Sequence, residues 1–349
     1  MDHELKNGFP LPEEIPMVRF NIKKWLVSWV AFLAALLTGL PAFGAASSLA
    51  LEGKWITDHG GKRIRIDAPF KRIISLYGAH TENLFALGGA EAVIGVGRND
   101  RYPPQARLKP VFHYREDAEK FLAARPDLVL IRPMIAGASP QLIPRLEAAG
   151  ITVVSLQPGN VDEMFRYWRI LGALTGREEQ AEAMVAQFQA KVAAYRLLTA
   201  SVTPRKKVFF EAVHAKMKTF APDAMALFAL ECAGGINVAE EATSVRGSNI
   251  ADFGKERVLA LGNDIDVYLA QVGPMNRPTL ETIREEPGFQ AVRAVRTGAI
   301  HLIDETLVSR PTMRLVEGIA AIGAILYPDR FGSEAVDVSP TTAGNGDAP

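Results

Sequence analysis

Three features of the sequence predict an α/β protein in two halves. Short strands, apolar on both faces, alternate with helices from residue 72 to residue 156. A long helical stretch over residues 160–200 then interrupts the alternation, which resumes from Lys207 to Tyr327. Strands of this kind belong to parallel sheets covered by helices, and parallel strands need a crossover between them.

The first unit lies in WITDHGGKRIRIDAPFKRIISLYGAHTENLFALGGAEAVIGVG, residues 55–97. Two alternating runs flank the turn Asp58-His59-Gly60-Gly61, the signal of a β-hairpin. Arg72–Leu76 reads as a strand, His80–Leu87 as a helix capped by Thr81 or a neighbour, and Val93–Val96 as the next strand. Gly88-Gly89 stops the helix. Strand, helix and strand at this spacing make a parallel βαβ unit. Leu128–Ile131 and Thr152–Leu156 continue the strands, and Ala118–Ala124 and Gln141–Ala149 the helices.

Asn160 suits an N-cap, Asp162 and Glu163 a first turn, and Gly176 a helix end, so residues 160–175 are predicted helical. Met164, Tyr167, Trp168 and Leu171 recur at i, i+3, i+4, i+7 and form its apolar stripe. Glu178–Ala200 follows as a second helix. The second half has strands at Lys207–Val213, Val267–Gln271 and Ala299–Ile303. Its helices are Ala224–Ala233, Lys255–Leu261, Pro278–Glu285 and Arg314–Tyr327. The division is a leader at 1–44, a first lobe at 45–158, a linking helix at 159–176, a second lobe at 177–330 and a disordered tail at 331–349, rich in small and polar residues.

The leader has the form of a secretory signal. Arg19, Lys23 and Lys24 precede the uncharged run Trp25–Leu40, and Pro41-Ala42-Phe43-Gly44-Ala45 offers cleavage after Gly44 or Ala45. The run is short against the ~20 residues of a spanning helix, so cleavage and export to the periplasm are expected. An uncleaved anchor is the alternative, and Met17 is an alternative start. Cys232 is the only cysteine, so no disulfide forms within the chain and no cysteine sits at the cleavage frame for a lipid anchor. Lys plus Arg and Asp plus Glu are balanced at 39 each, which gives no argument for nucleic acid or an anionic membrane surface.

The order of motifs adds a resemblance. RIISLYGAHTENLFALGG, Arg101-Tyr102-Pro103-Pro104, Arg125-Pro126-Asp127-Leu128-Val129-Leu130, ECAGGINV, GKERVLAL, AVRTGAIHLID, VSRP and LVEGIAAI follow one another over Trp55–Pro328. In this order they resemble the periplasmic substrate-binding proteins of ABC importers for iron chelates, haem and cobalamin. The resemblance implies two Rossmann-like α/β lobes with parallel sheets, joined by one long helix, with the ligand cleft between lobes. It implies a monomer whose partners are an ABC importer permease and a small-molecule metal chelate, with no resident cofactor and no catalysis. It also implies that Glu119 and Glu256, one on each lobe, face arginines of the permease. Two charges held apart on rigid lobes set orientation and encounter rate.

A cleft between lobes is the default place for a ligand, and its walls come from loops after the strands. Those loops hold Tyr77, His80, Arg98, His113, Tyr114, Arg132 and Met134 in the first lobe. In the second they hold His214, Arg246, Met275 and Arg310. Aromatic and thioether faces suit a large flat ligand, and guanidinium forks suit carboxylate, catecholate or phosphate oxygens. A ferric siderophore fits first, haem or a corrinoid next. By the resemblance His113 falls near a ligand-stacking position. It is expected to stack, to hydrogen-bond, or to complete the coordination of a chelated metal; the alternative is a histidine bonded to a backbone carbonyl. The chain lacks the His-rich loop of binders of bare zinc or manganese.

Two other readings stand beside a binding role. An exported enzyme would draw on Gly95-Val96-Gly97, Asp127 or Asp304, but the third glycine of a phosphate loop, a nucleophile elbow and an H-E-x-x-H run are all missing. A membrane-tethered receptor would use the same cleft with the leader retained. Cys232, at a predicted helix end, reads as a buried inert thiol.

Overall fold

The computed structural model describes residues 49–245 and 247–332. The predicted leader, Arg246 and residues 333–349 of the predicted tail lie outside the described residues. The hairpin of the sequence is the inner and outer part of a three-stranded antiparallel sheet: β1 (Ala50–Glu52), β2 (Trp55–Thr57) and β3 (Arg63–Arg65). Asp58 shapes its turn. Oδ1 accepts from the backbone N–H of Gly60 at 2.8 Å and of Lys62 at 2.9 Å, and Oδ2 accepts from Ser155 N–H at 3.0 Å. The turn is thereby pinned to the lobe behind it.

That lobe is a five-stranded parallel sheet of β4 (Ile73–Ser75), β5 (Val93–Gly97), β6 (Val111–Phe112), β7 (Leu128–Ile131) and β8 (Thr152–Ser155). The spatial order is β6-β5-β4-β7-β8. Its helices are α1 (Gly78–Ala86), α2 (Ala118–Ala124), α3 (Pro133–Ala138) and α4 (Leu142–Ala148). Pro133 and Met134 read as loop residues in the sequence, yet they open α3. The structure makes them helical because Pro133, at the first helical position, gives up no hydrogen bond and fixes a helical φ.

Two helices carry the chain to the second lobe, α5 (Val161–Thr175) and α6 (Glu178–Thr199). Asn160 caps α5, its Oδ1 accepting from Glu163 N–H at 2.9 Å, a contribution of about 1 kcal/mol. Met164, Tyr167, Trp168 and Leu171 are all fully buried, each contributing about 1.5–3 kcal/mol through apolar burial. Gly176 ends α5 at φ 67°, and a Cβ there would lie 2.6 Å from Pro69 Cγ. Backbone and packing both require glycine at that corner.

The second lobe has a parallel sheet of β9 (Lys207–Glu211), β11 (Ile236–Asn237), β14 (Val267–Val272) and β15 (Ile300–Asp304), in the order β11-β9-β14-β15. A small antiparallel sheet, β10 (Thr219–Phe220), β13 (Ile250–Asp252) and β12 (Thr243–Ser244), lies beside it. The helices are α7 (Met225–Cys232), α8 (Lys255–Ala260), α9 (Leu280–Glu285), α10 (Arg293–Arg296), α11 (Glu305–Val308), α12 (Leu315–Leu326) and α13 (Pro328–Phe331). Helix α5 packs on β1 and α1 of the first lobe, and α6 on α7, α12 and α13 of the second. One core runs through both lobes, from Leu84 through Trp168 and Phe188 to Leu230 and Ile319. Phe331, grouped with the tail in the sequence, belongs to the fold: its ring lies 5.6 Å from that of Tyr195.

Candidate ligand cleft

In an open parallel sheet the crevice for a ligand lies beyond the carboxyl ends of the strands, where the strand order reverses. In the first lobe the reversal falls between β4 and β7. The chain leaves β4 through Tyr77 and β7 through Arg132, and the Arg132 guanidinium lies 4.9 Å from the centre of the Tyr77 ring. Arg132 takes an extended conformation (φ −119°, ψ 159°), as a residue before proline must, and this turns the chain at the strand end. Its Nη2 approaches Met134 Sδ at 3.5 Å, and Met134 is half-exposed on the first turn of α3. Burial raises the Tyr77 hydroxyl pKa, with Arg310 and Arg132 opposing, so the phenol stays neutral.

In the second lobe the reversal falls between β9 and β14. The chain leaves β9 toward His214 and β14 through the turn Gly273–Asn276. Asn276 ties the two exits together. Its Oδ1 accepts from His214 N–H at 2.9 Å, and its Nδ2 donates to Glu211 Oε1 at 3.1 Å. Glu211 is fully buried and also accepts from Tyr268 Oη and from His214 Nδ1 at 2.7 Å. The hydrogen bond to Glu211, then the charges of Glu211 and Glu286, raise the His214 pKa above the ordinary imidazole value, against burial. His214 Nε2 lies 3.7 Å from Glu286 Oε2, while Glu286 Oε1 pairs with Lys255 Nζ at 2.6 Å. Met275, in the same turn, is 74% exposed.

Charges meet across the lobes. Glu305, at the start of α11, packs so closely over Gly273 that a Cβ there would overlap its carboxylate. Burial raises the Glu305 pKa, while Arg310 and the first-lobe Arg132 lower it. Tyr77 and Arg132 of the first lobe and Glu305 and Arg310 of the second therefore lie within one another's electrostatic reach.

The other predicted residues divide. Arg98 is exposed at the end of β5. His113 and Tyr114 follow β6 as a tilted pair with ring centres 4.4 Å apart, and Arg115 lies over the Tyr114 ring. His113 Nδ1 accepts from Arg115 N–H at 3.3 Å, which places the ring proton on Nε2 in the neutral form. Partial burial, then Arg98 and Arg115, lower its pKa, so the neutral form is favoured. In this tautomer Nε2–H offers a hydrogen bond to a ligand oxygen. The ligand role expected for His80 is corrected. It is fully buried, with Nδ1 2.7 Å from Tyr167 Oη and Nε2 3.0 Å from the Ile131 carbonyl, and no ring nitrogen is left for cargo. Arg310, expected on the ligand, spends Nη1 on Glu82 Oε1 at 2.9 Å. Arg246 lies outside the described residues.

Glu82, Asp100, Glu211 and Glu305 were not singled out in the sequence. The signal available was a carboxylate inside or beside an apolar element: Glu82 sits in a helix whose residues 78–84 are all buried. Among the described residues no three His, Cys, Asp or Glu side chains gather as a bare-metal site, and no helix is long and apolar enough to cross a membrane.

Glu119 and Glu256 occupy matching places. Each lies in the first turn of a short helix, α2 or α8, that leads back to a parallel strand. Both are exposed. Glu119 pairs with Arg145 on α4.

Relatives agree with this architecture. The chain is 27% identical over 281 residues to an uncharacterized ABC transporter substrate-binding lipoprotein, YvrC, of Bacillus subtilis, covering 79% of this chain and 86% of that one. It is 23% identical over 269 residues to a cobalamin-binding protein of Halobacterium salinarum, covering 75% and 71%. The solved periplasmic haem-binding protein RhuT of Roseiflexus superposes with a TM-score of 0.61 at 25% identity, over 75% of this chain and 99% of that one. With residues 73–307 matched to the family model, the chain belongs to the periplasmic binding protein family.

Proposed function

We propose that this protein captures an anionic metal chelate between its lobes and delivers it to the permease of an ABC importer. A ferric siderophore is the first cargo, haem or a corrinoid the next. The observation that carries the reading is the chemistry at the two strand-order reversals. One presents the Tyr77–Arg132 pair with Met134 beside it, and the other His214 with Met275. Aromatic and thioether faces with cationic forks suit a large flat ligand bearing carboxylate or catecholate oxygens. Arg98 and the His113 Nε2–H extend the donor set along the first-lobe rim. The names of the relatives, one binding cobalamin and one haem, support the same class.

The role is binding without chemistry. Glu119 and Glu256 are the permease contacts, and Arg145 is a surface partner that a permease arginine can replace. The protein acts as a monomer in the periplasm after removal of the leader.

Native mass spectrometry and an absorbance spectrum of the protein purified from its own periplasm test this. A coloured, stoichiometric compound holding iron or cobalt is expected. A colourless protein that also fails to bind ferric siderophores, haemin and cobalamin overturns the reading.

A further inference from the structure

The segment Arg310–Arg314, between α11 and α12 of the second lobe, is held from the far side of the cleft. Arg310 Nη1 donates to Glu82 Oε1 on α1 at 2.9 Å, and Arg314 Nη1 lies 3.8 Å from Glu82 Oε2. Between them, the Pro311 carbonyl accepts from Asn83 Nδ2 at 2.9 Å and from Trp168 Nε1 at 3.1 Å. Asn83 belongs to α1 and Trp168 to α5. First lobe and crossing helix thus grip the same peptide unit.

The first lobe is shaped for this arginine. The Glu82 side chain is 3% exposed, and burying a carboxylate demands a partner with good geometry. Gly78 opens α1 with an ordinary helical backbone, so its lack of a side chain is not a matter of φ. A Cβ there would lie 2.5 Å from Arg310 Nη1 and 3.1 Å from Cζ. Asp100, buried beneath, accepts from Thr81 Oγ1 at 2.6 Å and from Gly97 N–H at 3.0 Å, and also lies in the field of Arg310.

The grip is also incomplete. Glu82 Oε2 is buried with Arg314 Nη1 no closer than 3.8 Å, and among the described residues Thr312 Oγ1, buried beside the same carboxylate, makes no well-formed hydrogen bond. A cavity of about 470 Å³ lies alongside, lined by residues of both lobes and of α6, among them Tyr102, Lys191 and Glu317. Unmet polar groups next to such a space let the contact loosen with water as the substitute partner.

We propose that Gly78 and Glu82 form a socket for the second-lobe Arg310, and that this plug sets the separation of the lobes and hence the width of the cargo cleft. Glu82 is a positioning residue. It acts on cargo through Arg310 and lobe spacing, not by contact. The proposal goes beyond the transport reading and concerns the empty protein.

The test is a distance distribution between the lobes. Ala148 and Glu285 are exposed helix positions on opposite lobes, while Cys232 is fully buried and escapes labelling. Spin labels at Ala148→Cys and Glu285→Cys are read by pulsed EPR without cargo. Glu82→Gln and Gly78→Ala are each expected to broaden the distribution about twofold and move it to longer distance, the mark of a second populated state. Gly78→Ala alters no charge and favours helix, so it displaces Arg310 without weakening α1. Distributions that superimpose on the parent's in both variants overturn the proposal. A haemin titration of the same proteins is a separate arm. Affinity several-fold weaker in both variants supports the link to cleft width. Failure of the parent itself to bind any chelate removes the transport reading and leaves the socket to be decided by the distances.

Discussion

Nδ1 of His80 lies 2.7 Å from Tyr167 Oη, while Nε2 lies 3.0 Å from the Ile131 carbonyl. A carbonyl only accepts, so Nε2 carries the proton and Nδ1 accepts from the phenol. Burial holds the ring pKa down to about 3, so His80 is neutral in the fold. The unfolded ring titrates near 6.5 and takes up a proton first as pH falls. The contribution of His80 to stability is therefore full above about pH 6.5 and is lost progressively from there toward pH 3. Replacing Tyr167 by Phe orphans Nδ1 and should cost about 1–3 kcal/mol in urea unfolding at neutral pH. Cargo affinity should not change; a large loss of affinity would return His80 to the site.

His214 has the opposite sign. Its pKa is raised by Glu211 first and Glu286 next, with Lys255 opposing, so the fold keeps this proton after the unfolded chain has lost it. The stability it contributes is complete below about pH 6.5 and disappears as pH rises through the folded value. Glu211→Gln should move the His214 NMR titration downward and flatten the dependence of stability on pH above about 6.5. An unmoved titration would show that Glu211 is not the controlling charge.

Delivery and capture should separate. Replacing Glu119 and Glu256 together with Ala should lower cellular uptake by about tenfold, equivalent to one decade of docking affinity. Binding of cargo to the purified double variant should match the parent within about twofold. Loss of binding itself would contradict a docking role.

Cys232 is fully buried and its thiol pKa is pushed up to about 11 by burial. The thiolate is the reactive form, so the folded protein should not react with an aromatic disulfide reagent at about pH 8, and should react fully once unfolded. Prompt modification of the native protein would show that α7 opens readily.

The sequence carried the fold wherever an element was long enough to show a period. The apolar stripe of α5 and its cap at Asn160 are both present as read. The shortest elements were not legible: β6, β10 and β12, of two residues each, have no alternation to count, and β1 is defined only by its pairing with β2. The site was harder for a related reason. Tyr77 and His80 stand three residues apart, yet one reaches the mouth of the cleft and the other is sealed against α5. Which side of the helix faced the core depends on Tyr167, 87 positions away. Arg310 looked like a ligand residue because nothing local reveals Glu82, 228 positions earlier, as its partner.

Trp168 places an optical gauge where α5 meets the second lobe. Its indole is fully buried and its N–H ends on the Pro311 carbonyl. Outside residues 1–44 the sequence has one other tryptophan, Trp55, on the antiparallel sheet of β1–β3 and partly open to solvent. Emission from the two indoles differs in wavelength because one is dry and the other wetted. The blue component thus follows the joint between the lobes without any label, and a cargo absorbing in that range would quench it.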